Sequence, residues 1–227
     1  CFLMVNTEEK PIYVEEGLLT PIAYKLKGET HYAIEGSIYS SGNIIKWLRD
    51  KMKFFSTANE SEKFLSMNGN SNGVYFLPAF NGLGAPFWDS DIRGGFYGLT
   101  QDSSVCDIVT SCFMSVAFQT KEITSILGKY NISIQNLSVD GGMVENDTFC
   151  QILSDTLLVN IIRPNNIEST ALGACKVSML GSGLDMNGVK SIESKVFAAN
   201  QENTKILANN YKDWSKYVSG SLNSIKE

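Results

Sequence analysis

Val139-Asp140-Gly141-Gly142-Met143-Val144-Glu145-Asn146 stands between a short β-prone run, Leu137 to Asp140, and a helical pattern from about Asn146 to Leu158. A strand that ends on two glycines and leads into a helix is the connection made by an α/β layer. The glycines let the backbone come close to a ligand, and the first N–H groups of a helix have no partners within it. Such a junction can receive a phosphate or the edge of a nucleobase. Asp140, at the strand end, can reach a ribose hydroxyl, a metal-bound water or only the N–H groups of its own loop. A Gly-Gly turn by itself is more often a tight connection than a ligand site, so its surroundings have to decide.

Downstream, Val159 to Arg163 is β-prone and is stopped by Pro164. A helix with small residues on one face follows over Thr170 to Leu180, and an amphipathic helix runs from Gln201 to Ser219. Upstream, Asp102, Ser103 and Ser104 offer caps for a long apolar helix reaching about Leu127 and ended by Gly128. Val74 to Leu77 and Gly94 to Leu99 read as strands on either side of Pro78-Ala79-Phe80-Asn81-Gly82-Leu83-Gly84-Ala85-Pro86-Phe87-Trp88-Asp89. The prolines and glycines of that loop exclude regular structure. It is not a P-loop, because no Gly-Lys-Ser/Thr follows and no helix opens from it. Phe87 and Trp88 are expected to plug the core.

Ser56 to Asn72 is a polar surface excursion with room for one short helix. Leu18 to Leu26 and Thr30 to Glu35 form a hairpin pattern around Lys27-Gly28-Glu29. The apolar opening, Cys1 to Val5, reads as the middle of a strand, so the sequence is expected to start inside a larger protein. From Ser37, the expected cap, Ile38, Ile45, Leu48 and Met52 fall at helical spacing, with Ile44 and Trp47 widening the stripe. Gly42 lies inside that helix, where glycine costs about 1 kcal/mol relative to alanine. Something must therefore approach closely there, either a sheet packed beneath the helix or a flat adenine ring. Strands interleaved with helices, without repeat or linker, give one α/β domain.

Composition excludes several functions. The chain has 227 residues, 43% hydrophobic and 19% charged, enough to bury a core, and a net charge of -5. Its Lys and Arg are scattered among acids, which disfavours nucleic acid as a partner. Cysteines stand at 1, 106, 112, 150 and 175 with no CxxC, and His31 is the single histidine, so a zinc cluster is not supported. Free thiols indicate a reducing, cytoplasmic setting. No apolar stretch approaches the ~20 residues of a membrane span, and the N-terminus lacks the parts of a signal peptide. There is no Ser-His-Asp triad pattern and no Gly-x-Ser-x-Gly elbow.

Several segments together carry a resemblance: Cys1-Phe2-Leu3-Met4, Glu16-Gly17-Leu18-Leu19-Thr20, Tyr32 to Ser37, Trp47-Leu48-Arg49-Asp50, the loop from Pro78 to Asp89, Gly98-Leu99-Thr100, Ala117-Phe118-Gln119-Thr120, Val139 to Gly142 and Thr170 to Ala174. With these the chain resembles the C-terminal domain of glycerol kinases, in the FGGY family of carbohydrate kinases, over Cys1 to about Gly181 and weakly through Tyr211 to Trp214. The resemblance implies an actin-like ATPase (ribonuclease H-like) domain with a mixed sheet and flanking helices, occupying residues 1–227. It implies a full-length enzyme that uses ATP with Mg2+ to phosphorylate a terminal hydroxyl of glycerol in a cleft between two lobes. The phosphate loop, further glycerol contacts and the aspartate base belong to the missing N-terminal lobe. No catalytic residue or metal ligand is therefore carried over here, and the chain alone is expected to be inactive.

Residue by residue, Gly42, Gly142 and Asn146 match the family's nucleotide positions. Lys46 stands where the family commonly has Gln and brings a point charge in place of an amide. Phe2 matches the aromatic that packs on the carbon face of glycerol. Met114 replaces a usual Glu and, inside an apolar helix, implies altered packing or an altered subunit contact. The full enzyme is expected to form a dimer or tetramer. The alternatives are a lobe of another sugar or polyol kinase of the family, and a non-catalytic actin-like module that binds nucleotide.

Overall fold

In the computed structural model, which describes residues 1–184 and 193–224, the first 37 residues build a small antiparallel sheet. Its strands are β1 (Phe2–Glu8), β2 (Ile22–Leu26) and β3 (Glu29–Ser37), in the order β1-β3-β2. The β2–β3 hairpin turns on Lys27 and Gly28, both at positive φ (51° and 93°), as a tight two-residue turn requires.

Ser37 is not a helix cap. It closes β3 opposite Phe2, and its carbonyl accepts the Ala85 N–H at 2.8 Å. With its backbone held in a strand on one side and by the 78–89 loop on the other, it cannot start a helix. The helix α1 spans Gly42–Asp50 with Ser41 at its N-cap, so Gly42 occupies the first turn and not the interior. A Cβ at Gly42 would meet nothing within 4 Å, which removes close packing as the reason for glycine there.

A 3-10 turn over Ala58–Phe64 follows, then the antiparallel pair β4 (Tyr75–Leu77) and β5 (Gly95–Tyr97). Phe87, in the loop between them, packs on the core as expected. Trp88 does not: it is 40% exposed and lies across Gly17, donating its indole N–H to the Gly17 carbonyl. A side chain with an N–H to satisfy is drawn to the nearest acceptor, and here that acceptor is at the surface.

The axis of the molecule is α2 (Val105–Lys129). Ser104 and Asp107 form a reciprocal capping box at its start, Asp107 N donating to Ser104 Oγ and Ser104 N to Asp107 Oδ2. The helix is apolar on nearly every side, which marks a core helix. Its first half, including Val109, Phe113 and Phe118, lies in one hydrophobic cluster with β4 and with α3 (Asp147–Leu157) and α5 (Gln201–Ser224). Ile123, Ile126 and Leu127 belong to a second cluster beneath the β1-β3-β2 sheet. Met114 is 1% exposed in the first cluster, so it is a packing residue of this lobe.

The third sheet is mixed, with order β6-β7-β8: β6 (Asn136–Ser138) and β7 (Asn160–Pro164) are parallel, and β8 (Ser194–Phe197) runs antiparallel to β7. α3 connects the two parallel strands. α4 (Ser169–Gly181) buries none of its residues. α5 is anchored by Trp214, fully buried, whose indole N–H donates to the Phe76 carbonyl at 2.9 Å.

Candidate functional site

The Gly-Gly junction leaves β6, turns through Gly141 at φ 88°, and forms a single 3-10 turn over Gly142–Glu145 before α3 begins. A Cβ on Gly141 or Gly142 would meet nothing within 4 Å, so both open onto free space. Asn146 is the N-cap of α3, and its Oδ1 accepts the Phe149 N–H at 2.8 Å. That bond fixes the amide: the oxygen faces the helix, so Nδ2 faces away. Asn146 is only 9% exposed, and its Nδ2 is buried with no hydrogen-bond partner. Leaving such a donor unsatisfied costs about 1–3 kcal/mol, which an incoming acceptor would relieve.

Asn146 lines a cleft of about 480 Å³, within the size range of small-ligand sites. Four of the five residues singled out from the sequence line it. Gly142 and Asn146 form one wall; Gly42 and Lys46, one turn apart on α1, form the facing wall. Phe113 of α2 supplies an aromatic floor. Lys46 makes no close ion pair among the described residues, though its charge acts on Asp50, to which the neighbouring Arg49 is paired directly (Nε–Oδ1 2.7 Å, Nη2–Oδ2 3.1 Å). That contact holds the Asp50 carboxyl below its ordinary range. Phe2 is not part of the cleft. It lies on β1, 70% exposed.

Two contacts around the cleft were not legible in the sequence. Glu62, from the 3-10 turn of the polar excursion, accepts both the backbone N–H (3.2 Å) and the hydroxyl (3.3 Å) of Thr148 in the first turn of α3. Arg163, at the end of β7, donates to the carbonyls of Val144 and Glu145. The one sequence signal for Arg163 is its place at a strand end just before Pro164; Glu62 sits in a stretch without periodicity and carries none. Another cavity of similar size, about 490 Å³, is lined by Asn68, Gln151, Asn200 and Asn203. Two of its amides are already used internally: Gln151 and Asn203 both donate to Asp155.

Residues 1–181 match the C-terminal domain of the FGGY family of carbohydrate kinases, and the chain belongs to that family. Its relatives include the glycerol kinase of Marinomonas sp. (strain MWYL1), 46% identical over 184 residues, which are 81% of this chain and 37% of that protein. The glycerol kinase of Natranaerobius thermophilus is 39% identical over 98% of this chain and 45% of its own length. Among solved structures, Plasmodium falciparum glycerol kinase with ADP superposes with a TM-score of 0.81 at 33% identity, covering 97% of this chain and 45% of that one. Gluconate kinase from Lactobacillus acidophilus gives 0.78 at 19% identity over 96% of this chain and 45% of its own, which speaks for the fold alone. The fold is thus the actin-like ATPase lobe of these kinases, and the chain spans less than half the length of the relatives it matches.

Proposed function

We propose that residues 1–227 are the C-terminal, nucleotide-binding lobe of a cytoplasmic, ATP-dependent glycerol kinase. The observation that carries this is the cleft itself: Gly42, Lys46, Gly142 and Asn146 face one space, and Asn146 Nδ2 is a buried donor without an acceptor. A purine ring presents ring nitrogens to such a donor. The two glycines leave room for its flat faces, and Lys46 offers a charge for the phosphates.

In the full-length enzyme a terminal hydroxyl oxygen of glycerol attacks the γ-phosphorus of ATP. The bond between that phosphorus and the β,γ-bridging oxygen breaks, and ADP leaves. The hydroxyl proton passes to the aspartate that the family resemblance places in the N-terminal lobe. Phosphoryl transfer depends on positioning and charge stabilisation more than on covalent help from the protein. This lobe's share is to hold and orient the nucleotide, with Phe2 giving one apolar edge to the glycerol site. Mg2+ accompanies the phosphates in this reading; among the described residues no group of three or more His, Cys, Asp or Glu side chains stands together to hold it. The partners are the N-terminal lobe and, in the whole enzyme, further copies in a dimer or tetramer.

Isothermal calorimetry of the chain with ADP, ATP and glycerol tests the assignment. Weak saturable binding of adenine nucleotide with no glycerol phosphorylation is expected. A tight glycerol site with no nucleotide heat overturns it. Adding the N-terminal lobe and a panel of polyols and pentuloses identifies the acceptor; turnover on a pentulose but not on glycerol would reassign the substrate.

A further inference from the structure

Arg163 lies outside the cleft, on β7, with a side chain only 17% exposed. Its Nη1 donates to the Val144 carbonyl at 2.6 Å and to the Glu145 carbonyl at 3.0 Å, and its Nη2 pairs with Asp147 Oδ1 at 2.8 Å. One planar cation therefore ties down two successive peptide units of the Gly142–Glu145 turn and the first residue of α3. The Cys150 thiol donates to the same Val144 carbonyl at 3.3 Å; burial pushes that thiol up to about 11, so it stays a neutral donor. Beneath, the guanidinium sits 5.4 Å from the centre of the Phe197 ring of β8.

The consequence reaches Asn146. The peptide joining Glu145 to Asn146 is fixed at its carbonyl by Arg163, and the Asn146 side chain is fixed at Oδ1 by Phe149 N–H. With both ends held, Nδ2 has a single direction in which to present its hydrogens. Asp147 is also served by Lys195, which touches neither carbonyl. The two cations thus share an ion pair but not a role.

We propose that Arg163 is a positioning residue for nucleotide binding: it holds the Gly142–Asn146 wall in the shape the ligand needs, without touching the ligand. This rests on the nucleotide reading of the cleft. Lysine cannot replace it, because these three acceptors are shared between two separate nitrogens, Nη1 and Nη2, and a lysine has a single ammonium.

The test compares Arg163→Met, Arg163→Lys and Lys195→Met in the 227-residue chain. It reads the ADP dissociation constant by calorimetry and backbone hydrogen exchange at Val144, whose N–H donates to the Gly141 carbonyl at 3.2 Å. Arg163→Met is expected to weaken ADP about tenfold or more, Arg163→Lys to recover little of that, and Lys195→Met to stay within about twofold of the parent. Exchange at Val144 should quicken by a similar factor in both Arg163 variants and not in Lys195→Met. ADP affinity unchanged in Arg163→Met, or lost equally in Lys195→Met, overturns the proposal. If the parent chain binds no ADP, the nucleotide reading has failed on its own account. The exchange data then still decide whether Arg163 holds the turn, and Val144 exchange equal in parent and Arg163→Met overturns that as well.

Discussion

Asn146 performs two tasks with two atoms, and a pair of substitutions separates them. Oδ1 caps α3 through Phe149 N–H, and Nδ2 is buried without a partner. Asn146→Ser keeps an N-cap oxygen of equal rank and deletes the amide NH2; Asn146→Ala deletes both. A lost N-cap costs about 1 kcal/mol, while removing a buried unpaired donor returns about 1 kcal/mol or more to the free chain. Asn146→Ser should therefore melt at or above the parent temperature. Asn146→Ala should melt about 2–4 °C below Asn146→Ser, the shift that about 1 kcal/mol makes in a chain of this size. For ADP the two variants should be alike, each weaker by about 5- to 10-fold, because each lacks the amide donor of this cleft-lining residue. Thermal unfolding followed by tryptophan fluorescence and calorimetric ADP titration read the two quantities independently. Parent-like ADP affinity in Asn146→Ser would refute the assignment of Nδ2 as the nucleotide donor, whatever the melting data show.

Gly42 and Gly36 should respond oppositely to alanine. Gly42→Ala meets open space and should leave the melting temperature unchanged or raise it slightly, whereas a Cβ at Gly36 would lie 2.7 Å from the buried Ile123 side chain and should cost about 1–3 kcal/mol in chemical denaturation. Gly42→Leu should fold but lose nucleotide binding in a titration, since its side chain would fill the cleft. Lys46, on the cleft wall, should make ADP affinity fall with added salt, and Lys46→Gln should flatten that dependence. The Asp147 carboxyl is held below its ordinary value near 3.8, first by Lys195 and then by Arg163. Its stabilising effect is complete above that value and lost as pH falls through the lowered folded value, so parent and Asp147→Asn should differ in melting temperature at neutral pH and converge in strong acid. Amides of α4, which buries no residue, should exchange faster than those of the middle of α2 when both are followed by hydrogen exchange.

Where local chemistry determines structure, the sequence was readable. Lys27-Gly28 makes its turn with two positive φ angles, Ser104 caps α2, and Asn146 opens α3, each within a few residues of its partner. The errors came from contacts between residues far apart. Ile38 fits helical spacing, yet Ser37 is kept in β3 by Phe2 and Ala85, neither of which is near it in the chain. Trp88 was drawn out of the core by an acceptor on Gly17. β8 is four residues long with three of them exposed, and only its pairing with β7 makes it a strand. For the site, family resemblance supplied Gly42, Lys46, Gly142 and Asn146, while composition and spacing alone offered a Gly-Gly turn and an unexplained helical glycine. Glu62 gave no signal and Arg163 only its strand-end place, because the groups they bind, on Thr148 and on Val144 to Asp147, are brought near only by folding.

The unbroken course of α2 has a bearing on how this lobe can vary. Phe113 floors the cleft, and Ile123, on the same helix, packs against Gly36 of the strand that pairs with the Phe2 strand. The ten residue steps from one to the other span about 15 Å with a fixed rotation. One inserted or deleted residue in that interval would turn one contact face about 100° from the other. The interval from 113 to 123 is thus a ruler whose length is set twice, once at each end. A library of single-residue insertions along α2 should yield folded protein near Lys129 and none between Phe113 and Ile123, even where every point substitution in that interval is tolerated.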